Sequence, residues 1–181
     1  GNLILNFSKL LNQKATHTPS AQHVLDSEYY KRIEAIQFSM SHDDGMKTED
    51  VRNADIILLG VSRTSKTPTS IYLANRGYKT LNIPLVTGQE IPEVLKKEPD
   101  NFCVIGLTVE PSRLSDIRSN RLEIMKEVNI PNYSDLEFIK DEIDNSKKLF
   151  KKYGWPMIDV TRKSVEETAA SVIKILEIKK R

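Results

Sequence analysis

An apolar run that passes directly into a small-residue loop ending in Lys-Thr constrains this chain most. Residues 55–59 predict a buried strand, residues 60–67 form the loop, and a helix-compatible stretch follows. The pattern G-x-x-x-x-G-K-[ST] binds phosphate because backbone amides and a helix N-terminus surround the anion, while the lysine spans phosphate groups and the hydroxyl can bind magnesium. Gly60, Lys66 and Thr67 match this pattern, and Ser65 stands where the second glycine would be.

The loop therefore predicts a phosphate-binding site, in which backbone amides contact the anion whatever the side chains do. Magnesium is expected on the hydroxyl of Thr67, and a cationic lysine stabilises charge during phosphoryl transfer. The residues expected to bind the phosphates are Gly60, Val61, Ser62, Arg63, Thr64, Ser65, Lys66 and Thr67.

The composition narrows the classes of partner. The 181 residues include 27 Lys and Arg against 25 Asp and Glu, so the net charge of +2 predicts no nucleic-acid partner. A single cysteine, Cys103, allows no intrachain disulfide and fits a reducing cytoplasm. No apolar run approaches the roughly 18 residues of a membrane span, so no membrane association is expected.

Apolar strands alternate with helical patterns from residue 55 onward. Strands are expected at 55–59, 80–86, 101–108 and 156–160, with helices at 2–12, 27–41, 67–76, 92–97, 111–120, 134–153 and 164–178. Capping boxes are predicted at Ser134 and Ser164, each with a glutamate three residues later. This alternation predicts an α/β fold, a mostly parallel sheet flanked by helices, with ligands at the carboxyl ends of the strands.

A cluster of acids beside an imidazole, at 42–45, is the second candidate for chemistry. His42, Asp43 and Asp44 can supply a base for an attacking hydroxyl and carboxylates for magnesium. The same tetrapeptide, which ends in Gly45, is also typical of a turn that stops a helix. Spacing alone leaves both interpretations open.

Three arginines on the helix after the third strand are the third candidate. Arg113, Arg118 and Arg121 are able to place guanidinium groups over an anionic ligand. An exposed amphipathic helix, neutralised by Asp116 and Glu123, explains them equally well.

Together these motifs resemble the pyruvate, phosphate dikinase regulatory protein family. The resemblance runs from about Glu28 to the C-terminus. It is carried by the segments 30–36, 42–45, 54–68 and 82–86, by Gly106-Leu107-Thr108, and by the pairs Arg113-Leu114 and Ile117-Arg118. Serine at position 65 is a trait of the family branch that acts on pyruvate, phosphate dikinase.

The resemblance implies a P-loop kinase-like fold and a bifunctional enzyme. Family members phosphorylate a threonine of the dikinase with ADP as donor, and remove that phosphate with inorganic phosphate to yield pyrophosphate. The family also implies a homodimer and an additional N-terminal lobe. Residues 1–26 are accordingly expected to be a helix and loop left from that lobe, and 27–181 the catalytic domain.

For this mechanism we expect the loop to hold the ADP phosphates and Lys66 to stabilise the transferring charge. An acid among Asp43, Asp44 and Asp55 orients the target hydroxyl, with His42 beside it. Two alternatives remain open: a small-molecule kinase of the P-loop type, and a nucleotide-binding module without turnover. Testing ATP against ADP as donor separates the first from the regulatory enzyme.

Overall fold

A four-stranded parallel sheet organises the protein. The computed structural model describes residues 2–12, 27–125 and 132–180. The strands are β1 (Ile56–Gly60), β2 (Thr80–Pro84), β3 (Val104–Thr108) and β4 (Met157–Asp159), in the order β2-β1-β3-β4. Every strand pair in this described part is parallel. The predicted α/β architecture is therefore confirmed, and β1, which carries the loop, lies at the interior of the sheet.

The described ranges contain seven α-helices. They are α1 (Asn2–Leu11), α2 (Ser27–Ser41), α3 (Lys66–Ala74), α4 (Glu93–Lys97), α5 (Pro111–Met125), α6 (Leu136–Lys152) and α7 (Val165–Lys179). Two 3₁₀ helices, Thr48–Asn53 and Pro99–Asn101, were not predicted. None of the described helices has the length and apolarity needed to cross a bilayer.

The apolar residues of β1 alternate between two cores, because successive side chains of a strand point to opposite faces. Ile56 and Leu58 belong to a core that includes residues of α3, α5, α6 and α7. Ile57 and Leu59 belong to a second core that includes Leu95 of α4 and residues from the end of α6. The sheet is thus covered on both faces, as the buried strand pattern predicted.

The contact between β3 and α6 depends on a glycine. A Cβ added at Gly106 would clash with the ring of Phe150, which is fully buried. Gly106 therefore lets α6 pack closely over the carboxyl half of the sheet.

Helix boundaries follow the predictions closely, with two corrections. The capping box at Ser164 is confirmed: its hydroxyl accepts from the Glu167 amide. The one at Ser134 is wrong, since Asp135 is the N-cap of α6 and accepts from the Phe138 amide. Helix α5 extends to Met125 and is longer than predicted. The loop expected within residues 1–26 lies at 13–26, outside the described residues.

Candidate functional site

The loop that joins β1 to α3 packs tightly against β3. A Cβ added at Gly60 would lie 2.7 Å from the carbonyl oxygen of Leu107 and 2.7 Å from Thr64 Oγ1. Thr64 Oγ1 also donates to the carbonyl oxygen of Val61 at 2.9 Å. Glycine is therefore required at the first position of the motif, and the buried threonine holds the loop closed on itself.

Two residues of the loop adopt a left-handed backbone without being glycine. Ser65, the N-cap of α3, has φ 59° and ψ 25°, and Arg63 has φ 73°. This conformation costs a non-glycine residue roughly 1–2 kcal/mol. Within the described residues, the amides of 62–65 donate to no protein acceptor. These donors and the adjoining N-terminus of α3 suit an anionic ligand.

Lys66 places a buried ammonium group against this loop. The residue is 6% exposed, and its Nζ donates to the carbonyl oxygen of Val61 at 2.9 Å. Burial lowers the pKa of Lys66 from 10.5 to about 8, although the charges of Asp44 and Asp43 oppose the change. Because the Nζ group is held by a carbonyl rather than a carboxylate, its charge is available to an anion in the loop.

Thr67 is joined to an acid and an amide from two other elements. Its Oγ1 donates to Asp43 Oδ1 at 3.0 Å. Asn82 Nδ2, on β2, donates to Asp43 Oδ1 and lies 3.2 Å from Thr67 Oγ1. The structure therefore brings Asp43 to the loop, as the sequence predicted. It also places Asn82 there, a residue that was not among the predicted site residues.

His42 fixes the turn that carries the acids. It is 4% exposed, its ring stacks on Phe38 with centroids 3.9 Å apart, and Nε2 lies 3.0 Å from Asp50 Oδ2. Two backbone hydrogen bonds join this turn to β2. The backbone amide of Asn82 donates to the carbonyl oxygen of His42 at 3.2 Å, and the backbone amide of Gly45 donates to the carbonyl oxygen of Asn82 at 2.9 Å. Both nitrogens of the ring have partners within the protein, so His42 acts here as an anchor for the turn.

The acids, the loop and α5 enclose one cavity of about 400 Å³. Asp44, with φ 54°, faces it beside Asp43. We call this space the phosphate cavity. It is lined by Asp43, Asp44, Ser62, Arg63, Ser65, Lys66, Thr67, Pro68, Ile117 and Arg121.

The three arginines of α5 have different surroundings. Arg121 lines the phosphate cavity, whereas Arg113 is exposed and does not line it. Arg118 is 1% exposed and also lies outside the lining. Only one of the three predicted anion-binding arginines therefore faces the cavity.

Arg118 supports the loop from behind. Its Nη1 pairs with Glu142 Oε2 of α6 at 2.7 Å and donates to the carbonyl oxygen of Tyr133 at 3.0 Å. Its Nη2 donates to the carbonyl oxygen of Ser62 at 3.3 Å. A buried, paired guanidinium thus links α5, α6 and the phosphate loop.

Asp55 lies at the opposite edge of the sheet. Its Oδ2 accepts from the Lys79 amide at 2.9 Å, just before β1 begins. Five residues of strand separate it from the loop, roughly 16 Å at about 3.3 Å per residue. The structure therefore corrects the expectation that Asp55 acts beside Asp43, because strand β1 holds the two acids apart.

The residues of this site that could hold magnesium are Thr67 and Asp43, together with phosphate oxygens. Among the described residues, no group of three or more His, Cys, Asp or Glu could hold a metal ion. Magnesium bound with nucleotides commonly uses one or two protein oxygens, phosphate oxygens and water. Thr67 Oγ1 and Asp43, 3.0 Å apart, provide such a pair.

Comparisons with known proteins identify the family of the chain. The sequence model of a kinase/pyrophosphorylase family matches residues 1–173. A protein of Pelagibacter ubique (strain HTCC1062), with the provisional name pyruvate, phosphate dikinase regulatory protein, is 70% identical over 99% of this chain and 66% of its own length.

Two further relatives carry the same provisional name. The Bartonella bacilliformis protein is 49% identical over 96% of this chain and 62% of its own length. The Sphingopyxis alaskensis protein is 52% identical over 94% of this chain and 63% of its own length. The chain thus spans slightly less than two thirds of the length of these relatives.

Proposed function

The chain belongs to the kinase/pyrophosphorylase family, and we propose that it phosphorylates a threonine of pyruvate, phosphate dikinase with ADP and removes that phosphate with inorganic phosphate. The observation that supports this most is the convergence of Lys66, Thr67 and Asp43 at one loop. Lys66 Nζ lies 2.9 Å from the Val61 carbonyl, and Thr67 Oγ1 lies 3.0 Å from Asp43 Oδ1.

In the kinase direction, the threonine hydroxyl oxygen attacks the β-phosphorus of ADP. The bond from that phosphorus to the bridging oxygen breaks, so that AMP leaves, and the hydroxyl proton passes to Asp43 or Asp44. In the reverse role, an oxygen of inorganic phosphate attacks the phosphorus of phosphothreonine. The threonine oxygen leaves and takes up a proton, and pyrophosphate forms.

Both reactions transfer a phosphoryl group between oxygens, so catalysis depends on positioning and charge stabilisation. The amides of 62–65 and Lys66 hold the anion, and Arg121 adds a second cation at the cavity wall. Magnesium, when bound through Thr67 and Asp43, would neutralise phosphate charge. The acids orient the attacking or departing hydroxyl.

One anion site then serves both co-substrates. The phosphate cavity measures about 400 Å³ and is lined by the buried Lys66. We therefore expect ADP and inorganic phosphate to compete, which calorimetric titration of ADP at increasing phosphate concentrations measures. Independent, simultaneous saturation by both ligands would contradict a shared site.

The decisive experiment compares Lys66→Ala with Lys140→Ala. Lys140 pairs with Glu137 on the exposed face of α6, away from the loop. We expect Lys66→Ala to reduce both transfer from ADP to the dikinase and phosphate-dependent release of pyrophosphate by about 10²–10³-fold. Lys140→Ala should leave both rates unchanged.

Three results would contradict the proposal in different ways. Equal rates for Lys66→Ala and the unaltered chain would remove the lysine from the mechanism. Transfer from ATP but not ADP, to a small molecule rather than the dikinase, would indicate a small-molecule kinase. ADP binding without any transfer would indicate a nucleotide-binding module.

A further inference from the structure

Two more cavities continue from the phosphate cavity along the carboxyl end of β2. The first, of about 400 Å³, is bordered by Asp44, which also lines the phosphate cavity. The second, of about 440 Å³, lies between the segment 85–91 and helix α6. It shares Leu85, Gln89, Glu90 and Ile91 with the first. We call the two together the β2-side groove.

The walls of this groove are fixed to the phosphate loop. The Leu85 amide donates to the carbonyl oxygen of Gly60 at 2.9 Å, so the segment that leaves β2 is bonded to the first residue of the loop. Val61 itself lines the cavity beside α6. The groove is therefore an extension of the phosphate cavity and shares its framework.

The walls combine apolar surface with amide groups, and four charged side chains line the cavity beside α6: Glu90, Lys96, Glu142 and Lys152. Val86 is 47% exposed. Leu149 of α6 and Tyr153, which follows the last residue of α6, line the same cavity and are half-buried. Asn145 and Gln89 stand among them. A primary amide both donates and accepts, as a peptide backbone does, so this lining suits an extended chain with apolar side chains.

The two flanks of the phosphate loop carry opposite charges. Asp43 and Asp44 reach the cavity from the turn bonded to β2, whereas Arg121 reaches it from α5, which follows β3. A hydroxyl that must lose its proton belongs beside the acids. The acceptor should therefore enter from the β2 side, and Asp44 marks where the groove meets the reacting centre.

We propose that the β2-side groove binds an extended segment of the phosphoacceptor protein, with the reacting hydroxyl at Asp43 and Asp44. This inference rests on the proposed protein kinase function. The groove is larger than a nucleoside, because it consists of two cavities in addition to the phosphate cavity. An extended chain advances about 3.3 Å per residue and so fills such a groove with several residues.

The experiment places a charge on the exposed apolar wall and leaves the phosphate cavity intact. Val86→Asp is compared with Ile178→Asp, a matched change at an exposed residue on α7, 63% exposed. Calorimetry measures the Kd of each protein for ADP and for purified pyruvate, phosphate dikinase. We expect Val86→Asp to weaken dikinase binding about tenfold or more and to change the Kd for ADP less than about twofold, because it buries a charge against apolar contacts.

Each other outcome has a distinct meaning. Weaker ADP binding by Val86→Asp would assign the groove to the nucleoside and overturn the proposal, as would equal effects of Val86→Asp and Ile178→Asp on dikinase binding. If the unaltered chain binds ADP but not the dikinase, the protein target itself is wrong. Only that last result, seen without any substitution, contradicts the proposed function together with the groove.

Discussion

The sheet differs between the amino ends of its strands, which we call the amino edge, and their carboxyl ends, which we call the carboxyl edge. Strand β1 runs from one to the other. At the amino edge, Asp55 accepts from the Lys79 amide at 2.9 Å and the Thr80 amide donates to Ser39 Oγ at 3.0 Å, so polar groups have close partners. At the carboxyl edge, Ser65 adopts a left-handed backbone and Lys66 is a buried cation without a carboxylate bonded to it.

Strain and buried charge persist only where the surrounding structure enforces them, and they concentrate at functional sites. At the amino edge, the polar groups named above are hydrogen-bonded within the protein, as buried polar groups usually are. The carboxyl edge departs from the usual pattern at several neighbouring residues. The difference indicates that the carboxyl edge has been shaped for a ligand at some expense of stability.

The largest effect is expected from the buried ion pair behind the loop. Arg118→Met leaves Glu142 without its partner, and breaking a buried pair in this way costs about 3–5 kcal/mol in the free energy of unfolding. Urea denaturation measures this change in the free energy of unfolding. Arg52→Met removes the exposed amino-edge pair with Glu98, 2.8 Å apart, and should change stability little because water screens it.

Arg118→Lys separates the contribution of Arg118 to stability from its contribution to the position of the phosphate loop. A lysine keeps the charge near Glu142 but cannot also span the distance to the Ser62 carbonyl, which Arg118 Nη2 reaches at 3.3 Å. We expect this variant to recover part of the stability that Arg118→Met loses. Its KM for ADP should be raised, as should that of Arg118→Met, because both variants lose the bond to the Ser62 carbonyl. Full recovery of both quantities would show that Arg118 does not position the loop.

The second prediction concerns the pH dependence that Lys66 gives the fold. Its pKa is about 8 in the folded protein against 10.5 without burial, so between these pH values the unfolded chain binds a proton that the folded chain has released. Stability then rises with pH through this residue, by about 3 kcal/mol in total. Below pH 8 both states are protonated and the contribution is constant.

Comparison with Lys66→Met isolates this contribution, since all other groups are shared. The difference in unfolding free energy between the two proteins should shift in favour of the unaltered chain as the pH rises from about 8 to about 10.5. A difference that stays constant over this range would mean that the ammonium group is solvated in the folded protein.

The third prediction compares the two acids that flank β1. Asp43→Asn removes a charge from the phosphate cavity while keeping an oxygen for the hydrogen bond from Thr67, and we expect phosphoryl transfer from ADP to fall about 100-fold. Asp55→Asn alters the amino edge and should stay within about twofold. Equal losses for the two variants would contradict the assignment of the chemistry to the carboxyl edge.

The order of strands and helices followed from the sequence because each element carries a local signal. An apolar run predicted β1, the capping box at Ser164 predicted the start of α7, and the small-residue loop predicted the position of Lys66. These features depend on near neighbours in the chain. They needed no knowledge of the tertiary structure.

The partners of Thr67 could not be predicted in this way. Asp43 lies 24 residues from Thr67 and Asn82 lies 15 residues from it, and only the turn that pairs with β2 brings the three together. The segment of Asn82 was predicted as a strand, and nothing in a strand pattern assigns a role to one polar residue within it.

The arginines show where helical geometry could have refined the prediction. Residues four apart share a face of a helix. Arg118 follows the buried Leu114 by four residues and therefore points inward, whereas Arg121 follows Ile117 by four and shares its cavity face.

The smallest effect is expected from relieving strain at the carboxyl edge. Ser65→Gly removes the cost of φ 59° at the N-cap of α3, although glycine also gains entropy in the unfolded chain. The net result should be a protein more stable by about 0.5–1 kcal/mol in urea denaturation. Ser119→Gly, in the middle of α5, provides the control: with an ordinary helical backbone it should lose about 0.5 kcal/mol. Two losses of equal size would mean that Ser65 is not strained, and the contrast between the two edges of the sheet would then rest on Lys66 and on the left-handed backbone of Arg63.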